Sequence, residues 1–589
     1  MSAVVLTASF GFVASALPSA QAVSSRDISD PELQATIDEV APSADVAVEV
    51  ITNDDTTVAR TVRRLGGEVT GSVDGEIVQA LLPADKVDEL AASNGADFVQ
   101  APRLISHLPS TLSRTEATIG TGPTVGNEVA ITNADEWHLN GYTGAGVKIG
   151  IIDYFDMSLW DEAEHGIEPT VGNGRMFCKD TAAFGLCTGL AITSIPEGLH
   201  GVAVAEIVKD MAPGAELYIA TVATVSDLQD AIDWFDGNGV AIVTRSLGAP
   251  YDGPGDGTGP LDAVVDHAAS LGITWFNSAG NDGRDAYVRR SVPYNLVVGG
   301  YVDFGGGDTW LRLDGDFLVF DGVRWANDWS LPDNEKTDYS VEFWRPKASV
   351  AAQLSNDHWN PTTGDVEAID LDGNPGNGID NIVDADQPGG APPLEAADLY
   401  VSPGNPYGDY GGVVFMRIRR DNSVSATDDT MEVALAYGLT ELGYSSKAGS
   451  AAKPVVDSAN PSLLAVGAVE HAACVSIADY SSQGPTTDGR VKPDITAPSG
   501  LTSTIYLAGF FGTSAASPTA AGFAAILLGA GSAVPATLPA LVRLYTVDLG
   551  IAGPDNVFGA GQILLPPSEA PRPCGFNEAA EALQPAQRL

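Results

Sequence analysis

Residues 512–522 read GTSAASPTAAG. The Gly-Thr pair sets a tight turn, and Ser514 follows it at the head of an Ala-rich run with helical character, AASPTAAGFAAILLGA. A helix start carries unpaired N–H groups and the positive end of the helix dipole. A serine hydroxyl held there is placed to attack a carbonyl while nearby N–H groups stabilise the oxyanion that forms. The same composition also describes a small-residue helix packed closely in a core, so the reading turns on what lies upstream.

A serine nucleophile needs a base, and the base needs an orienting group. The chain has seven histidines, so the search is short. His200 opens GLHGVAVAEIVKDMAPGAELYIA, where Gly198 and Gly201 flank the imidazole, a helical stretch follows and AELYIA reads as a buried strand. The acid is Asp153, which ends the apolar, β-branched run VKIGIID. A buried parallel strand delivers a side chain to a binding crevice in this way. WFNSAGNDG is a further short strand ending at Asn281, whose side-chain amide is suited to donate to an oxyanion. Singly, each has a plain structural alternative: a helix-capping histidine, a strand-ending aspartate, a turn asparagine.

Together, the order Asp153, His200, Asn281, Ser514 and the motifs VKIGIID, HGVAVAE, SAGN and GTSAASPTAAG resemble the subtilisin-like serine proteases, or subtilases. The Asp-His-Ser order separates that family from the chymotrypsin and α/β-hydrolase arrangements. YTGAGVKIGIID and SSQGPTTDGRVKPDITAP (481–498) add to the likeness. The resemblance implies that Ser514 is the nucleophile, His200 its base and Asp153 the group that holds the imidazole. It implies an oxyanion hole from Asn281 and the Ser514 N–H. Ser246, Leu247 and Gly248 would pair as a strand with an extended substrate. Ser278, Ala279 and Gly280 would form the other pocket wall.

The implied activity is that of a secreted serine endopeptidase working through an acyl-enzyme on polypeptide substrates, with no cofactor required. Activity is expected to fall as pH drops through roughly 6–7, because a histidine base must be neutral. Two rival readings stand: a catalytically silent surface-binding protein on the same fold, and a sedolisin-type carboxyl protease, which should lack the histidine. The sequence departs from the family after the aspartate, where Tyr154 and Phe155 replace small residues and glycine. It also departs after the histidine, where the motif runs His-Gly-Val-Ala and Glu206 stands in place of a glycine. These changes bear on the cleft's shape near the aspartate, and so on substrate preference.

The chain's 589 residues carry 77 acidic against 30 basic side chains, a net charge of −47. Nucleic-acid backbones need Lys and Arg clusters, so neither nucleic acid nor an anionic membrane is an expected partner. The acids are spread along the chain, which suits either solubility in salty water or an ordinary acidic secreted protein. Residues 1–22 have the apolar centre and small residues of a signal peptide, although the positive n-region is missing. Of four cysteines, Cys178 and Cys187 are near enough to close a small loop, and Cys474 and Cys574 are open to a second bridge.

The expected fold class is α/β. A doubly wound parallel-sheet domain spans 125–299 and 451–565. Residues 23–105 read as βαββαβ, a ferredoxin-like α+β unit resembling the propeptide that assists and inhibits subtilases. That unit would be the chain's own inhibitor. Asn281 and Ser514 lie 233 positions apart, so a segment is inserted between them. Residues 300–450 carry short aromatic-rich strands and read as a β-sandwich. Within it, DLDGNPGNGIDN sets Asp370, Asp372, Asn374 and Asp380 at spacing like that of a calcium loop, but Pro375 takes the glycine position and no glutamate closes it. A structural calcium ion and a solvated turn are both open. The Pro-rich tail, 566–589, reads as extended.

Overall fold

The computed structural model describes residues 30–106, 125–160, 167–195, 198–325, 329–332, 335–350, 352–355, 360–369, 382–383, 392–395, 400–401, 413–422, 427–440, 443–471 and 475–566. The signal-peptide segment, Cys474, Cys574, residues 567–589 and the four candidate calcium ligands lie outside them.

Lys148–Ile152 shows why the central sheet has two covered faces. Ile149 and Ile151 join one apolar core, and Ile152 joins the other. Gly150 lies against Phe235, whose ring sits 2.8 Å from where a Cβ would be. Alternation with apolar residues on both sides is what a doubly covered parallel strand requires. Eight strands run parallel in the order Gln562–Ile563, Ile495–Pro498, Leu463–His471, Thr274–Ser278, Ile242–Arg245, Lys148–Ile152, Glu216–Val222 and Met176–Lys179. Helices Leu199–Met211 and Thr513–Gly529 pack on one face, and Val225–Gly237 and Pro260–Ser270 on the other. After Lys148–Ile152 the chain places Glu216–Val222 on one side and Ile242–Arg245 on the other. The strand order therefore reverses at Lys148–Ile152, where α/β sheets open a crevice at their carboxyl ends.

Residues 30–106 form a separate antiparallel sheet, ordered Glu68–Val73, Ile77–Pro83, Asp45–Ile51, Phe98–Gln100, with helices Asp55–Arg64 and Val87–Ala91. Its own core joins Val46, Val48 and Val50 to Val58, Val62 and Leu90. The unit docks on the main body where Val73, Ile77 and Ile105 enter the core under Val225–Gly237. Lys179 Nζ donates to Thr70 O at 3.0 Å, and Thr224 Oγ1 donates to Gln79 Oε1 at 2.9 Å.

The inserted strands differ from expectation. They join by hydrogen bonds in one nine-stranded antiparallel sheet instead of the two facing sheets of a sandwich. The sheet begins at Tyr287–Val292, ahead of residue 300, because that strand pairs with Asp429–Thr440. Arg324 fastens the sheet to the main body. It is fully buried, donates from Nε to Glu432 Oε2 at 2.6 Å and from Nη1 to Gly253 O at 3.0 Å, and stacks 4.1 Å over Tyr251. Of the pairings left open by the sequence, Cys178 and Cys187 form a disulfide.

Two predictions follow from this packing. The ideal Cβ of residue 522 would lie 2.4 Å from Met211 Cβ, so the two buried helices touch only because Gly522 has no side chain. Gly522→Ala should lower stability by about 1–3 kcal/mol in denaturant melts, despite alanine's better helix propensity. Glu49 and Asp252 line one cavity between the N-terminal unit and the main body. Burial pushes Glu49 up to about 7 and Asp252 up to about 8. Each binds its proton more tightly folded than unfolded. Their stabilisation is therefore full below the usual carboxylate range and lost as pH rises through about 7–8. The melting temperature should decline across that window, and Glu49→Gln should flatten the decline.

Candidate active site

Three adjacent strands end at the crevice. Lys148–Ile152 delivers Asp153, Ile242–Arg245 delivers Ser246–Gly248, and Thr274–Ser278 leads into Ala279–Asn281. His200, Ser246, Leu247, Gly248, Ser278, Ala279, Gly280, Asn281 and Ser514 line one cavity. Asp153 lies behind His200, almost wholly buried.

His200 is the second residue of its helix. Its Nδ1 lies 2.9 Å from Asp153 Oδ1 and 3.0 Å from Oδ2, and Oδ1 also accepts from the Tyr154 N–H at 2.8 Å. The flanking glycines make this approach possible. A Cβ at residue 201 would lie 2.2 Å from Tyr154 O and 3.0 Å from Asp153 Cβ, and one at residue 198 would lie 2.1 Å from Phe155 C. The imidazole meets Phe510 edge-on, with centroids 5.7 Å apart.

Ser514 is the second residue of the helix Thr513–Gly529, which Gly512 opens at φ 99°, a conformation suited to glycine. Tyr480 accepts from the Gly512 N–H at 3.2 Å, and Ser499 Oγ donates to Gly512 O at 3.0 Å, so the turn is braced at both peptide groups. Asn281 Oδ1 accepts from the N–H and the hydroxyl of Thr513, each at 3.0 Å. These contacts commit the amide's oxygen, and Asn281 lines the cavity.

Pro518 lacks the N–H that would bond the carbonyl four residues before it, that of Ser514. Ser246 Oγ donates to that carbonyl at 3.0 Å instead. In return, Ser514 Oγ donates to Ser246 O at 3.1 Å. The hydroxyl is thus directed to the strand beside it.

Several residues at the cavity carry weak sequence signals. Lys453 Nζ donates to Asp282 Oδ1 at 2.9 Å and Asp321 Oδ2 at 2.6 Å, and all three line the pocket wall. Burial opposes the Lys453 charge, but the two carboxylates outweigh it and hold the ammonium above its usual range. Asp321 and Ala436 come from the inserted sheet, so that sheet helps to build the cavity. A lysine inside the apolar stretch AAKPVV is the one hint of a buried, paired charge. Arg245, at the end of an apolar strand, is a similar hint. Its guanidinium donates to Leu247 O at 2.8 Å and Gly248 O at 3.2 Å. Glu206, in place of the family's glycine, accepts from Thr504 N at 2.6 Å and Ser503 Oγ at 2.5 Å, pinning the loop that leads toward Gly512.

Residues 423–561 match the subtilase family, Peptidase_S8. This segment of the chain is similar to that family. The match contains Ser514, whereas Asp153, His200 and Asn281 precede it. Subtilisin DY of Bacillus licheniformis is 29% identical over 173 residues, 27% of this chain and 56% of that protein. Subtilisin E of Bacillus subtilis (strain 168) is 29% identical over 153 residues, 25% of this chain and 37% of that protein. The chain thus spans about half or less of the length of these curated relatives. Among solved structures, the Clostridium perfringens CspB protease aligns with a TM-score of 0.47 and 15% identity over 74% of this chain and 97% of that one.

The exchange between Ser246 and Pro518 is testable. Ser246→Ala leaves the buried Ser514 carbonyl without its donor and should cost about 1–3 kcal/mol of stability. Adding Pro518→Ala restores the helical N–H and should recover most of that loss in the same melts.

Proposed function

We propose that the chain is a serine endopeptidase that hydrolyses polypeptides through an acyl-enzyme. The carrying observation is the His200–Asp153 pair beside a cavity that also holds Ser514 and Asn281. In this reading Ser514 Oγ gives its proton to His200 Nε2 and bonds to the substrate's carbonyl carbon. The oxyanion takes hydrogen bonds from Asn281 Nδ2 and the Ser514 N–H. As the peptide C–N bond breaks, the proton passes to the departing amine. Water then attacks the ester, gives a proton to His200 and releases the acid and Ser514. Asp153 holds the imidazole tautomer and stabilises its charged form. These groups supply nucleophile, base and oxyanion donors, so the mechanism calls on no metal or organic cofactor.

Residues 30–106 serve as the chain's own inhibitor in this proposal. The support is the docking of that unit on the main body and the bond from the Ile105 N–H to Ala223 O, 3.0 Å, at the cleft. Secretion is supported by the apolar segment 1–22 and by the Cys178–Cys187 disulfide, a bond typical of oxidising compartments. Among the described residues, no helix is long and apolar enough to cross a membrane. The acidic charge supports the exclusion of nucleic acid as a partner.

The Ser514 bond to Ser246 O favours one alternative, a catalytically silent subtilase fold. A fluorophosphonate probe separates the two. Labelling of the native chain but not Ser514→Ala supports the peptidase, and a folded, processed chain that stays unlabelled refutes it. Asn281→Ala should lower kcat roughly 100- to 1,000-fold with little change in KM. N-terminal sequencing should find a cut between about 104 and 130 in the native chain and none in Ser514→Ala.

A further inference from the structure

The cleft beside Asp153 holds a piece of the same chain. Leu104 packs against Tyr154, Leu186, Ala223 and Leu247. The Ile105 N–H donates to Ala223 O at 3.0 Å, and Ile105 O accepts from Arg245 Nη2 at 2.9 Å. Tyr154 Oη donates to Ser106 O at 3.0 Å and lies 2.9 Å from Ser106 Oγ. Tyr154 and Ser106 are both buried, at 1% and 2% exposure.

A phenol has one proton and lone pairs to fill. Tyr154 spends its proton on the main-chain carbonyl, which every residue presents. Its oxygen is satisfied only if the side chain of that same residue donates, and Ser106 Oγ does so. The geometry points to Tyr154 as a specificity-determining residue that selects serine in a polypeptide bound beside Asp153, with Arg245 holding the preceding carbonyl. The substrate class is an extended chain with the order apolar, apolar, serine, as in Leu104-Ile105-Ser106. Alanine there leaves a buried phenol oxygen without its donor. Arg245 is preset for its part, since Leu247 O and Gly248 O already fix the guanidinium. This inference rests on the peptidase reading for its substrate, but the recognition it describes is measurable without activity.

The first test uses matured native protein and two amidated peptides, Ala-Pro-Arg-Leu-Ile-Ser and Ala-Pro-Arg-Leu-Ile-Ala, as inhibitors of casein hydrolysis. The serine peptide should bind roughly fivefold tighter. In Tyr154→Phe the ratio of the two inhibition constants should fall to about one; being a ratio within each variant, it does not depend on that variant's own rate. Equal binding by the native protein, or a preference kept by Tyr154→Phe, overturns the proposal. The second test uses the full chain carrying Ser514→Ala and follows trypsin cleavage after Arg103. Ser106→Ala and Tyr154→Phe should each speed cleavage roughly fivefold, and the double variant no more than either alone. Additive effects, or none, overturn it. If casein and the fluorophosphonate probe both go untouched while the trypsin cycle shows coupling, the peptidase reading falls and the Tyr154–Ser106 recognition stands.

Discussion

The cleft depends on how closely two buried helices may approach each other and the sheet beneath them. Leu199–Met211 carries His200 and Thr513–Gly529 carries Ser514, and both lie on the same face of the parallel sheet. Their contact is glycine against methionine at Gly522 and Met211, and the first helix meets the Asp153 loop through Gly198 and Gly201. A methyl group at either glycine flanking His200 would push the imidazole away from Asp153, with which it lies within hydrogen-bond reach. The side chains proposed as catalytic are therefore placed by residues that have no chemistry of their own.

That close packing leaves polar groups with few ways to be satisfied, and the structure meets each case locally. Pro518 removes a helical donor, and Ser246 supplies another from the neighbouring strand. Lys453 enters the pocket wall with two carboxylates around it, Asp282, which follows Asn281, and Asp321 from the inserted sheet. A buried charge without partners costs several kcal/mol, so Lys453, Asp282 and Asp321 stand or fall together. This couples a segment far along the chain to the wall of the cavity. The inserted sheet is part of the cleft's construction as well as an appendage to the fold.

The parallel core and the polar groups at its strand ends were legible because they are local. VKIGIID and GTSAASPTAAG each state a strand or a helix and its terminal chemistry within about a dozen residues. The glycines flanking His200 could be read in the same way. The inserted sheet was less legible, since alternating short strands do not say whether they close into one sheet or two. Its first strand was also missed, because YVRRSV pairs with residues about 140 positions later. Asp321 and Arg324 carry no signal beyond single charges on an aromatic-rich strand. Their partners are set by tertiary packing, which periodicity does not encode.

Tyr154 shows the opposite case, in which a residue visible in the sequence gained meaning only from its surroundings. As a departure from the family's small residue, it says that space near the aspartate has been filled. Filling alone would be served as well by phenylalanine, the next residue in the chain. A buried phenol instead brings a donor and an acceptor into an apolar cluster of Leu104, Leu186, Ala223 and Leu247, where burial pushes its ionisation up to about 12. Such a hydroxyl is expensive unless both of its functions are met. The N-terminal segment meets both through one residue, by carbonyl and side chain together. In the proposed processing, removal of that segment would leave the phenol facing a cleft with neither partner, and a polypeptide offering the same pair would restore them. The group that closes the cleft and the group that chooses what next enters it are then the same hydroxyl.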